Sequence, residues 1–130
     1  MKDLKLALGL MSGTSMDGID AALLRTDGGA VVEPVLARSA PYDTAMRQAI
    51  GDAVADPGDA TGVAAVEVAL TDRHAEAVSA LFAAAGVAPG DIDVIGFHGQ
   101  TIHHDPAAGT THQIGDGGRL ACATGCLVVN

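Results

Sequence analysis

One stretch constrains this chain more than any other: Gly9-Leu10-Met11-Ser12-Gly13-Thr14-Ser15-Met16-Asp17-Gly18-Ile19-Asp20, a small, hydroxyl-rich segment between two apolar runs. Ahead of it Leu4, Leu6, Leu8 and Leu10 alternate with other residues, and behind it Ile19, Ala21, Ala22, Leu23 and Leu24 resume a strand-like run. A period of two puts alternate side chains on one face of a strand, so the segment reads as the turn of a β-hairpin. Its three glycines allow close backbone approach or positive φ, Ser12, Thr14 and Ser15 offer hydroxyls, and Asp17 and Asp20 offer carboxylates. That chemistry handles phosphate and divalent metal. An ordinary Gly/Ser/Asp turn has the same composition and, on composition alone, is the simpler reading.

Two common nucleotide motifs are excluded. Gly13 and Gly18 have the interval of a Walker A loop, but Ile19-Asp20 stand where Lys and Ser/Thr belong, and a strand follows where a helix should. G-x-G-x-x-G is absent, so nothing supports a dinucleotide-binding fold. What remains is a phosphate loop at a hairpin, with backbone N–H groups and the Thr14 and Ser15 hydroxyls toward phosphate and a carboxylate holding hydrated Mg²⁺.

Taken in order, the pattern predicts strands over residues 4 to 11, 18 to 26 and 31 to 39, the last two separated by the turn Asp27-Gly28-Gly29, an antiparallel meander. Asp43 or Thr44 caps a short helix to about Val54. A long helix runs from Ala60 to a stop at Gly86, with Val63, Val66, Leu70, His74, Ala77 or Val78, and Leu81 on one stripe. His74 on that stripe reads as a core or boundary histidine. Ile92 to Phe97 form a short buried strand that, fed by a helix, joins the sheet in parallel. Residues 98 to 106 read as a polar loop, 111 to 114 as a short hairpin element, 119 to 124 as a helix capped by Asp116-Gly117-Gly118 and stopped at Gly125, and 127 to 129 as a further strand. The expected fold class is α/β, a mixed sheet with three antiparallel strands followed by helix-linked parallel ones. At 130 residues one domain is expected, and a chain ending on a strand at Asn130 reads as a piece of a longer protein.

Composition narrows the partners. Seven basic residues against 16 acidic give a net charge of −9, and the basic ones are scattered, so no patch follows a nucleic-acid backbone. No signal peptide and no run of membrane-spanning length is present, which points to the cytoplasm. With 2% aromatic residues the core is built from Ala, Val, Leu and Ile. Cys122 and Cys126, three residues between them, fit neither C-x-x-C nor a zinc site and read as buried reduced thiols.

The second candidate is His98-Gly99-Gln100-Thr101, at the carboxyl end of the expected parallel strand, where ligands of such sheets bind. Gln100 and Thr101 suit sugar hydroxyls, and His98 or His103 suits a carboxylate or ring oxygen. A solvated loop, or a zinc site drawn from His98, His103, His104, Asp105 and His112, would use the same residues, although the spacing follows no recognised zinc pattern.

Taken together, the segment from Gly9 to Asp20, the segment Gly96-Phe97-His98-Gly99-Gln100-Thr101-Ile102-His103-His104-Asp105-Pro106, and His112-Gln113-Ile114-Gly115-Asp116 resemble the anhydro-N-acetylmuramic acid kinase family, over its N-terminal part. The resemblance implies a ribonuclease H-like domain of the actin-like ATPase and sugar kinase superfamily, forming the N-terminal lobe of a two-domain enzyme. It implies ATP-dependent opening of the 1,6-anhydro ring with phosphorylation at O6, in peptidoglycan recycling, with ATP and Mg²⁺ as cofactors and a homodimer as a possible assembly. Gly13, Thr14, Ser15, Met16, Asp17, Gly18, Ile19 and Asp20 then match the ATP-binding segment, with Asp17 a ligand to Mg²⁺-bound water. His98, Gly99, Gln100, Thr101 and His103 match the sugar side. The family's general-base aspartate is expected beyond Asn130, so residues 1 to 130 alone are expected to be inactive; the alternative is a non-catalytic nucleotide- or sugar-binding module of the same fold.

Overall fold

The computed structural model describes residues 3 to 130. Strand β1 (Lys5–Ser12) pairs antiparallel with β2 (Gly18–Thr26), and β2 with β3 (Val32–Pro41), completing the expected meander. Helices α1 (Thr44–Ala55) and α2 (Ala60–Ala85) follow, and a short 3₁₀ turn at Pro89–Asp91 leads into β4 (Val94–Asp105). Then come β5 (Thr110–Ile114), α3 (Gly117–Thr124) and β6 (Val128–Val129).

β4 lies parallel to β1, and β6 parallel to β4, while β5 folds back antiparallel on the far half of β4. The sheet order is β3-β2-β1-β4-β5, with β6 also on β4. Three antiparallel strands joined to helix-linked parallel ones constitute the ribonuclease H-like arrangement of actin-like ATPases.

Local chemistry places the helices. Asp43 accepts from the Met46 amide at 2.7 Å, Asp59 from Gly62 at 3.2 Å and Asp116 from Arg119 at 2.9 Å, so each helix begins on an aspartate cap. Gly86 and Gly125 close α2 and α3 in the left-handed conformation that glycine adopts without strain. The stripe of α2 is buried as its spacing requires, through Val63, Val66, Leu70, His74, Val78 and Leu81. It packs on Leu6, Leu8, Leu10, Ile19, Ala21 and Leu23, which alternate inward along β1 and β2. Each fully buried leucine contributes about 1.5–3 kcal/mol. The opposite sheet face carries small residues, Ala7, Gly9, Ala22, Ala37 and Gly96.

Four expectations are corrected. Residues 98 to 105 are not a loop but the second half of β4, because β5 supplies ladder partners for them. Ile92 and Asp93 precede the strand; Asp93 instead clamps Leu6, donating its amide to the Leu6 carbonyl and accepting the Leu6 amide on its carboxylate, both at 2.8 Å. β3 extends through Pro41, tolerated because β3 is an edge. Cys122 is exposed, since it faces outward from α3, and Cys126 alone is buried; both are free thiols. Among the described residues no helix is long and apolar enough to cross a membrane.

Candidate active site

The turn between β1 and β2 sits where the central strand emerges from the sheet. Met16 donates to the Gly13 carbonyl at 3.1 Å, closing a tight turn that needs Met16 at φ 59°. A non-glycine residue in that region is uncommon and carries strain, which here is held by burying the Met16 side chain against the core. The consequence is that Thr14, Ser15 and Asp17 stay exposed at the tip. At the far end Tyr42 donates its amide to the Asp17 carbonyl at 2.9 Å. Gly18 is required sterically: a Cβ there would meet the Ala40 carbonyl and the Pro41 backbone of the neighbouring strand.

A groove of about 420 Å³ opens beside this turn, lined by Gly13, Ser15, Asp17, Gly18, Asp20 and Ser39 among others. It adjoins a shallower depression over the small-residue sheet face, with Met11, Asp20 and Ser39 common to both. Asp20 accepts the Ser39 hydroxyl at 2.6 Å, which orients its carboxylate at the groove wall. Of the eight residues predicted for the nucleotide, Gly13, Ser15, Asp17, Gly18 and Asp20 line this groove with polar or backbone groups. Ile19 also borders it, with its side chain buried in the core, whereas Thr14, exposed at the tip, and Met16, half-buried against the core, are not among the lining residues.

The sugar-side segment reaches the same place from β4. Ser12 pairs with Gln100, so two motifs 88 residues apart in the chain meet side by side. Between Leu10 and Ser12 the pairing shifts by one, and Gly99, at φ 74°, is the residue that lets β4 bulge; a Cβ there would collide with the Ile114 carbonyl. The bulge inverts the alternation: Ile95 and Phe97 point inward before it, Gln100 and Ile102 after it. Gln100 is therefore fully buried, Thr101 half-buried, and His98 and His103 exposed.

The polar groups here are paired. Gln100 accepts the Ser12 hydroxyl at 2.6 Å, and its amide donates to the Gly13 and Thr101 carbonyls at 3.1 and 3.2 Å. Tyr42 Oη meets Ser12 Oγ at 2.7 Å. Burial pushes the Tyr42 phenol up to about 12. His98 Nδ1 lies 3.2 Å from the Gly99 carbonyl and Nε2 3.1 Å from Gln113 Nε2. Both contacts are satisfied by one neutral tautomer, protonated on Nδ1 and accepting on Nε2. His103 and His112 face each other across the β4–β5 ladder. Among the described residues no three His, Cys, Asp or Glu side chains converge as a metal cage.

The third motif segment has a structural use. The Gly115 amide donates to Glu67 and the Asp116 amide to Thr71 Oγ1, both at 3.0 Å, fastening the β5–α3 junction to α2. Arg119 then forms a two-pronged exposed pair with Asp72, at 2.7 and 3.0 Å. Sequence reasoning missed Tyr42 and Ser39. The available signal was that Tyr42 is the one tyrosine of the chain and stands directly after the meander.

A ribonuclease H-like sheet with a hydroxyl- and carboxylate-lined hairpin groove at the end of its central strands defines a fold of the actin-like ATPase class. Residues 5–130 match the family model described as anhydro-N-acetylmuramic acid kinase. The chain is 53% identical to the anhydro-N-acetylmuramic acid kinase of Rhizorhabdus wittichii, over 96% of this chain and 36% of that protein. The enzyme of the same name from Rhodospirillum rubrum is 49% identical over 95% of this chain and 33% of its own length, and that of Rhizobium etli 46% over 99% and 37%. The chain belongs to the anhydro-N-acetylmuramic acid kinase family. It spans about a third of the length of the curated relatives it matches.

Proposed function

We propose that this chain is the N-terminal lobe of an anhydro-N-acetylmuramic acid kinase and carries the phosphate side of its active site. In this reading the enzyme opens the 1,6-anhydro ring of anhydro-N-acetylmuramic acid with water and phosphorylates O6 from ATP. Water adds to the anomeric carbon, the bond from that carbon to O6 breaks, O6 takes the γ-phosphoryl group and ADP leaves. The product is N-acetylmuramic acid 6-phosphate, an intermediate of peptidoglycan recycling in the cytoplasm.

The observation that carries the reading is the junction of Ser12 with Gln100, which joins the hydroxyl-rich turn to the His98-Gly99-Gln100-Thr101 segment at one groove. Exposed Thr14 and Ser15 and backbone N–H groups of the turn would face phosphate oxygens. Asp17 and Asp20 supply hard oxygen donors at the groove, the kind that holds a largely hydrated Mg²⁺ through one carboxylate, and we assign that role to Asp17. When bound, the ion would offset charge on the phosphates. Thr101, His98 and His103 present the groups available to sugar hydroxyls, whereas Gln100, with its amide already committed, serves the sugar side by position. The general base lies outside these residues in this reading.

The test is a coupled assay of the full-length protein with the anhydro sugar, ATP and Mg²⁺. ADP release dependent on the sugar is expected, and Asp17→Asn should lower kcat/KM about 100-fold. ATP turnover indifferent to the sugar would contradict the reading, as would turnover by residues 1 to 130 alone.

A further inference from the structure

The hydrogen bonds beneath the turn run in one direction. Gln100 Nε2 has two hydrogens, and both are committed, to the Gly13 and Thr101 carbonyls. Its Oε1 must then accept, and it takes the Ser12 hydroxyl proton. Ser12 has no second proton, so its 2.7 Å contact with Tyr42 is a donation from the phenol. The chain Tyr42 to Ser12 to Gln100 to Gly13 ends on the same carbonyl that accepts Met16 and closes the turn. Tyr42 also holds the far end through its backbone bond to Asp17. Both ends of the turn are thus fastened by residues of other segments.

A hairpin does not need this. Among the described residues, the β4–β5 turn is held by local bonds, Ala108 to Asp105 at 3.2 Å and Gly109 to Pro106 at 3.3 Å. Ser12, Gln100 and Tyr42 are 1%, 0% and 5% exposed, and Ser12 continues the inward row of Leu6, Leu8 and Leu10. Buried polar groups there cost desolvation that another leucine would not, and a fully satisfied network gives in return one fixed geometry.

We propose that Gln100, Ser12 and Tyr42 are positioning residues that set the phosphate-side turn against the sugar-side strand, so that ATP use depends on a buried network touching neither substrate. The proposal rests on the functional reading above. It is tested in the full-length kinase by steady-state kinetics with ATP and sugar varied separately, together with hydrogen exchange of residues 11 to 18. Tyr42→Phe should keep the fold, raise KM for ATP about 5–10-fold, leave KM for the sugar within about 2-fold, and speed exchange of the turn. Gln100→Leu and Ser12→Ala should do more, about 10–100-fold, and Ser12→Thr, which keeps the hydroxyl, should recover most of the loss. Should Gln100→Leu fail to fold, Tyr42→Phe decides. Unchanged KM for ATP, or an equal change for both substrates, in an active enzyme overturns this proposal alone. A wild-type enzyme inactive on the sugar overturns the functional reading and this proposal with it.

Discussion

The β1–β2 and β4–β5 hairpins differ less in backbone than in what lies underneath. Both turns are short, and both contain a left-handed residue, Met16 in one and Gly109 in the other. The first rests on buried Ser12, Tyr42 and Gln100; the second, among the described residues, is held by bonds to its own Asp105 and Pro106. The first borders the groove described above. Tertiary contacts that hold a turn's backbone in place before a ligand arrives lower the ordering cost of binding.

The sharpest way to break the comparison is with two glycines of similar φ. Gly99→Ala places a Cβ against the Ile114 carbonyl at a bulge and should cost about 3 kcal/mol or more in urea unfolding. Gly109→Ala, with nothing within 4 Å, should cost about 1 kcal/mol, the left-handed penalty alone. Equal losses would show that the anchored end has no special rigidity. Two residues inserted between Ala107 and Ala108 should be tolerated within about 1 kcal/mol. The same insertion between Thr14 and Ser15 severs the Gly13–Met16 bond and should abolish ATP binding.

Smaller effects follow from two buried titrating groups. The Tyr42 phenol titrates near 12 in the fold against 10.0 in the unfolded chain. Its raised value means that its contribution to stability is whole below pH 10 and is lost as pH climbs toward 12. Denaturant midpoints should fall across that window, and the fall should flatten in Tyr42→Phe. His74 is fully buried; desolvation lowers its pKa below 6.5, opposed by its bond to Leu70. The folded protein resists the proton that the unfolded chain accepts, so stability present above pH 6.5 declines as pH falls below it. His74 Nε2 has no partner, and its ring lies 4.8 Å from that of Phe97. His74→Leu should therefore blunt the acid decline, and an unaltered decline would point to another group.

The same contrast explains what the sequence made legible. The meander, the α2 stripe and two of the aspartate caps depend on local pattern, and Leu6, Leu8, Leu10, Asp43, Asp116 and Gly86 announced them in advance. Residues 98 to 105 did not read as a strand because their alternation is broken by the Gly99 bulge and sustained by pairing with β5. Gln100 looked like a ligand contact because nothing local shows that a bulge will turn it inward. Tyr42 was silent for a similar reason: its partner Ser12 lies 30 residues away, across the sheet. Periodicity speaks for backbone and core, while the anchoring of a site depends on contacts between distant segments.

Residues 13 to 20 are the proposed phosphate loop. Amide exchange of the full-length protein, with and without a non-hydrolysable ATP analogue and Mg²⁺, tests it most directly. Protection is expected to concentrate at residues 13 to 18, with residues 106 to 109 unchanged; protection elsewhere, with the β1–β2 turn untouched, would rule the assignment out.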